Sequence, residues 1–284
     1  MPTTMTDARA LARSAVSRAL SVVRRGPRTV LWTPTIRMGV GNQLYLWLWA
    51  HNRRLEGHDD AVLWRPAMAT WLSELPAMDE LVVRPSDVKF TDRRDVFWNQ
   101  TFGQDFTREQ LQRFITERVL TAPAFGRTPT SDPDTVLINV RRGEYYSEAK
   151  FRGQYGFDVD AYLKVAVAAA LDTGTIPRIH VVSDGIDWCK ARLGWLGDIA
   201  PQVTFLAEGT PPMEQFVTVS TARRLILANS TFSYWAGYTS SVLHGADGFV
   251  WAPWFHARHF GDGRAFQLDP AWRVIEHIPG GWDS

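Results

Sequence analysis

Three compact polar groups carry the residues best suited to chemistry: Arg141-Arg142-Gly143-Glu144, Ser183-Asp184 and Asn229-Ser230-Thr231. A fourth, Gly39-Val40-Gly41-Asn42, lies nearer the N-terminus. Paired arginines supply forked, permanently charged donors that match phosphate oxygens. Ser230 and Thr231 at a helix start would place hydroxyls beside free backbone N–H groups and the positive end of the helix dipole. Asp184 can accept from ribose hydroxyls or from the N1–H and N2 amino group of guanine. A glycine turn carrying Asn42 lets backbone approach an anion closely and adds an amide hydrogen bond. These types together suit a nucleoside diphosphate. Each group also has a structural reading: a salt-bridging arginine pair, a Ser-Asp or Asn-Ser-Thr helix cap, or a chance Gly-x-Gly.

The elements that must position these groups alternate. Residues 29–36 read as a strand interrupted by Pro34, followed by the glycine-rich turn 38–43 and an apolar helix over 44–55. Short strands are expected at 61–64 and 81–83, and a helix over 107–119 behind a Thr107 cap. Residues 121–134 hold three prolines and read as a linker. Beyond it, strands at 135–140, 178–182, 203–206, 225–228 and 249–251 alternate with helices over 158–171, 185–193 and 231–238. Short apolar strands alternating with helices predict an α/β fold with a parallel sheet covered on both faces. Three of the polar groups directly follow strands. Loops at the carboxyl ends of parallel strands share one edge, so these groups should meet in space. The expected organisation is a basic segment 1–28, an N-terminal half 29–130 and a C-terminal half 131–284.

Composition narrows the partners. Lys and Arg number 31 against 30 Asp and Glu, a net charge of +1, which argues against a general nucleic-acid binder. Thirteen tryptophans are compatible with a saccharide cleft but also with a large core. Cys189 is the lone cysteine, which excludes an intrachain disulfide and a cysteine-based zinc site. No secretory signal is evident, and the longest uncharged stretch, 225–246, is too polar to span a membrane. These features point to a cytoplasmic protein. Residues 6–25, with Leu11, Ala15, Ala19 and Val22 on one side and several arginines, read as an amphipathic helix. That helix is a candidate peripheral contact for the inner membrane face, with a solvated terminal helix as the alternative.

At the polar groups the chain resembles the α-1,2-fucosyltransferases, glycosyltransferase family 11. The blocks are Gly39-Val40-Gly41-Asn42-Gln43-Leu44-Tyr45, Asn139-Val140-Arg141-Arg142-Gly143-Glu144-Tyr145, Ser183-Asp184 through Trp188-Cys189-Lys190, and Ala228-Asn229-Ser230-Thr231-Phe232-Ser233-Tyr234-Trp235. Four blocks in order form a specific signal, with two departures: Asn139 replaces the family's histidine and Glu144 its aspartate.

The resemblance implies a GT-B-like fold, two Rossmann-like halves with parallel sheets facing across a cleft. It implies GDP-fucose as the donor and a galactoside-type glycan as the acceptor. Donor binding would fall to Gly41, Asn42, Arg141, Arg142, Ser183, Asp184, Asn229, Ser230, Thr231 and Phe232. Arg142 would stabilise the leaving diphosphate, and Glu144 and Glu148 are candidates for the general base. No cofactor and no metal is expected. Asp158-Val159-Asp160 and His256-x-x-His259 are the rival metal-binding patterns, the first better explained by helix capping and the second lacking a third ligand. Alternatives are transfer of another GDP- or UDP-linked sugar, or a non-catalytic carbohydrate- or nucleotide-binding relative.

Overall fold

The computed structural model describes residues 24–33, 38–96, 100–127 and 132–283. The expected membrane-contacting helix over 6–25 falls almost wholly outside these residues, as does the continuation of the first strand past Pro34.

Two all-parallel sheets organise the chain. The first contains β1 (Thr29–Leu31), β2 (Ala61–Leu63), β3 (Val82–Val83) and β4 (Arg93–Asp95) in the order β3-β2-β1-β4. Helix α1 (Val40–Leu55) makes the crossover from β1 to β2, and α2 (Ala69–Glu74) follows. Helix α3 (Arg108–Phe114) starts at a capping box: Thr107 accepts from the Gln110 N–H, and the Gln110 side chain accepts from the Thr107 N–H. Part of the expected linker is helical, as α4 (Pro123–Arg127), with Pro123 in its first position where a missing N–H costs nothing.

The second sheet contains β5 (Thr135–Val140), β6 (Arg178–Ser183), β7 (Gln202–Phe205), β8 (Arg224–Ile226), β9 (Phe249–Pro253) and β10 (Arg273–Ile275), in the order β10-β9-β8-β5-β6-β7. Its helices are α5 (Gly143–Ser147), α6 (Ala149–Tyr155), α7 (Val159–Leu171), α8 (Ile186–Arg192), α9 (Pro212–Ser220) and α10 (Thr231–His244). The chain steps outward from β5 to β7, then returns to β8 and steps out the other way. Progression therefore reverses between β5 and β8. Connections diverge there and leave a crevice beyond the carboxyl ends of the strands.

Burial follows from the strand sequences. Val136, Ile138 and Val140 of β5 pack with Tyr162, Leu163, Ala166 and Val167 of α7, while Leu137 joins the cluster on the opposite face. A central parallel strand is covered twice, which is why TVLINV shows no polar alternation. One apolar cluster joins the two halves, running from α1 (Leu44, Tyr45, Trp47, Leu48) to α10 (Tyr234, Trp235, Tyr238). The Tyr45 and Trp235 rings lie 5.0 Å apart across that contact. Trp47, Trp235 and Trp251 are fully buried, so these three indoles build core and not a saccharide platform. The architecture is the expected α/β one, two Rossmann-like halves consistent with the GT-B arrangement.

Candidate active site

The crevice between β5 and β8 holds a cavity of about 440 Å³. Asn139, Val140 and Arg141 reach it from the end of β5, Asp184 from the end of β6, and Ser230, Thr231 and Phe232 from the start of α10. Across from them stand Gly39, Val40, Gly41 and Asn42 at the start of α1. Of the residues singled out in the sequence, Gly41, Asn42, Arg141, Glu144, Asp184, Ser230, Thr231 and Phe232 line this one space. A larger cavity of about 820 Å³ beside β1 and β4 contains none of them. Three of its four arginines are engaged, Arg93 with the Pro27 carbonyl, Arg94 with the Lys89 carbonyl and Arg53 with Asp60, while Arg24 Nε has no hydrogen-bond partner among the described residues. We therefore place the site at the smaller cavity.

Asp184 organises the arginine loop. Its Oδ2 pairs with the Arg141 guanidinium, and its Oδ1 accepts from the Arg142 backbone N–H at 2.6 Å. Gly143 must be glycine twice over: its φ is +22°, and an added Cβ would collide with the Asp184 carboxylate. The Arg141 guanidinium also lies 5.1 Å from the Tyr145 ring centroid. One cation is thus held beside the cavity by a carboxylate below and an aromatic face beside it.

Four expected site residues do not line that cavity. The Arg142 guanidinium is sandwiched between the rings of Tyr146 at 3.5 Å and Trp188 at 4.1 Å, a slot whose burial pulls its pKa below the usual arginine range. Gly185 fits against the Arg142 stem, where a Cβ would sit 2.6 Å from the arginine's own. Ser183 Oγ accepts from the Gly185 N–H at 3.0 Å and so shapes the turn into α8. Asn229 is buried and donates to the carbonyls of Tyr155 and His256, both at 2.9 Å. Glu148 is exposed at the start of α6. The arginine pair thus splits, because consecutive side chains leave a turn in different directions.

Asn139, the position that departs from the family's histidine, is committed to the scaffold. Its Nδ2 donates to the Val182 carbonyl at 3.2 Å, and its Oδ1 accepts from Ser233 Oγ at 2.5 Å. Ser230 caps α10 by accepting from the Ser233 N–H at 3.2 Å. The structural reading of that serine and its place on the cavity wall both hold.

The glycine-rich segment is not a turn. Helix α1 begins at Val40, so Gly41 and Asn42 belong to its first turn. A Cβ on Gly41 would stand 2.5 Å from the Phe232 backbone nitrogen. Gly41 lines the cavity and is also needed for the close approach of two helices. That approach brings the N-termini of α1 and α10 to one cavity, and with them two positive dipole ends and their unsatisfied N–H groups.

An aromatic wall completes the site: Trp71, Tyr145, Phe151, Tyr155 and Phe232. Tyr145 and Tyr155 stack at 4.4 Å, and burial raises the pKa of both phenols, so they stay neutral. Phe151 and Tyr155 are four residues apart on α6, a helical spacing readable in the sequence, whereas nothing marks Trp71 or Gln215. Both rival metal patterns are engaged otherwise. Asp158 caps α7 through the Ala161 N–H, and Asp160 accepts from Trp195 Nε1 and pairs with Lys164. His256 is buried against the Tyr234 hydroxyl while His259 is exposed beside Phe260. Among the described residues no group of three His, Cys, Asp or Glu side chains is arranged to hold a metal ion. Among them, too, no helix is long and apolar enough to cross a membrane.

Two Rossmann-like halves with an amide- and aromatic-lined crevice at a strand-order reversal define an α/β protein whose cavity wall carries Arg141 beside Asp184 and Glu144. The chain belongs to glycosyl transferase family 11, whose model matches residues 95–258. It is 29% identical over 138 residues to human galactoside α-(1,2)-fucosyltransferase 1, covering 48% of this chain and 37% of that protein. It is 25% identical over 122 residues to an α-1,2-colitosyltransferase of Escherichia coli, covering 43% of this chain and 41% of that protein. The chain thus spans about two fifths of the length of these curated relatives.

Proposed function

We propose that the chain transfers L-fucose from GDP-β-L-fucose to a hydroxyl of a galactoside-type glycan, in α-1,2 linkage and with inversion at the anomeric carbon. The observation that carries this reading is the convergence of Arg141 with the starts of α1 and α10 on one cavity. The acceptor oxygen attacks C1 as the bond from C1 to the β-phosphate oxygen breaks, and GDP leaves with the electron pair. Negative charge grows on the diphosphate in the transition state. Arg141 and the two helix N-termini are aimed where that charge develops and stabilise it without a metal.

The acceptor proton goes to Glu144, the one of the two candidate carboxylates on the cavity wall. Phe232, braced edge-on by Phe216 at 5.5 Å, offers a face to the nucleoside. Asp184 acts chiefly by holding Arg141 and the loop behind it. Arg142 supports that loop from its aromatic slot.

The test is incubation with GDP-fucose and a panel of galactosides, reading free GDP and product mass, with and without EDTA. Acceptor-dependent GDP release with addition of a deoxyhexose is expected, undiminished by the chelator. A panel-wide absence of product would overturn the reading. A second reading, transfer of a different nucleotide-linked deoxy sugar, is favoured by the similarity to a protein named for colitose transfer. Side-by-side turnover of alternative donors separates the two.

A further inference from the structure

A chain of three amides, two of them buried, ends on the cavity wall at the half-buried Asn42. Gln267 is fully buried, and its Nε2 donates to Gln100 Oε1 at 3.2 Å. Gln100 Nε2 donates in turn to Asn42 Oδ1 at 3.0 Å. Asn42 is in the first turn of α1 and lines the cavity. The Gln267 backbone is itself fixed, because its carbonyl accepts from the Tyr238 hydroxyl, which contacts Tyr45 Oη at 3.2 Å.

Such a chain has a direction. Each amide must present its oxygen to the preceding nitrogen, so the last one turns its NH2 outward. Gln267 Oε1 is buried with no partner among the described residues. Reversing the chain would put an NH2 group there and leave two N–H donors buried without an acceptor. One unsatisfied carbonyl oxygen is the less costly end.

We propose that Gln267 and Gln100 are positioning residues that hold Asn42 with its Nδ2 donors toward the cavity, where they bind an acceptor oxygen of the diphosphate. This rests on the reading of the cavity given above. Asn42 is the group that touches the ligand; the two glutamines act through it. Gln267 lies beyond the segment matched by the family model, so the C-terminal part of the chain reaches the donor site through this relay.

A double-mutant cycle tests it, with GDP titrated into the 284-residue chain by calorimetry. A hydrogen bond to a charged oxygen predicts that Asn42→Ala weakens GDP binding roughly tenfold. Gln100→Met, which keeps the bulk and removes the amide, should weaken it by a smaller factor. On the Asn42→Ala background, Gln100→Met should then have almost no further effect, because the glutamine has nothing left to orient. Effects that multiply, or a Gln100→Met chain that binds GDP as the parent does, would overturn the relay. Thermal melts identify any variant that fails to fold; Gln267→Met then replaces Gln100→Met in the same cycle, with the same two outcomes. Should the parent itself bind no GDP, both the relay and the reading of the cavity fail. Should it bind with an additive cycle, only the relay does.

Discussion

Asp184 grips the arginine loop at two points, pairing with the Arg141 guanidinium through one carboxylate oxygen and taking the next residue's N–H on the other. The side chain that lines the cavity and the backbone that carries it are thus fixed by a single group at the end of the neighbouring strand. Asp184→Asn keeps the shape and one acceptor but removes the charge. Arg141 would then lose its fixed orientation, and turnover with GDP-fucose should fall about ten- to a hundredfold, as for loss of a charge-assisted bond. The melting temperature should change little, since the pair is partly exposed. Unchanged kinetics would contradict the positioning role.

Glu144 and Glu148 are both exposed but separate by location, one lining the cavity and the other outside it. Glu144→Gln should lower kcat by roughly two to four orders of magnitude while leaving GDP affinity intact. Glu148→Gln should behave as the parent. Initial-rate kinetics on both variants decide, and equal losses would remove Glu144 from the mechanism.

Gly41→Ala tests the helix contact. The methyl group would press on backbone atoms of Thr231 and Phe232, which cannot rotate away. Overpacking of this kind costs typically about 1–3 kcal/mol. Denaturant unfolding should register that loss, and nucleotide affinity should drop with it because both helix starts line the cavity. A stable variant with normal affinity would show that the approach of the helices is not required.

Much of this was legible in advance, for identifiable reasons. The strands β5, β6 and β8 are apolar runs that end in polar groups, and a parallel sheet forces those ends to one edge. Their meeting followed from topology alone. Strands β4 and β10 escaped notice because edge strands such as Arg93–Asp95 are short and lack an apolar pattern. Helix α9 was hidden by two prolines at its start and by its β-branched residues. Side-chain direction was the deeper gap. Sequence places Arg141 and Arg142 together, but only packing reveals that Tyr146 and Trp188 capture the second. Likewise the sequence marks Gly41 as a glycine but only packing reveals its close contact with Phe232.

His256 predicts a pH dependence of stability. Burial, with His259 adding to it, lowers its pKa to about 3 in the fold, against about 6.5 for an exposed imidazole. As pH falls below about 6.5 the unfolded chain takes up a proton that the folded chain refuses until about 3. Stability from this group is therefore complete above 6.5 and declines below it, by about 1.4 kcal/mol per pH unit. His256→Gln should flatten the fall in melting temperature between pH 6.5 and 4.5. Parallel curves for parent and variant would contradict the assignment.

The most direct measurement compares GDP binding and GDP-fucose turnover in Arg141→Ala and Arg142→Ala. Loss of a donor aimed at developing charge predicts that Arg141→Ala lowers turnover by about two to three orders of magnitude and weakens GDP binding. Arg142→Ala should mainly lower stability, by about 1–2 kcal/mol for two lost cation–π contacts. If Arg141→Ala binds and turns over as the parent does, the cavity does not hold the diphosphate where we have placed it.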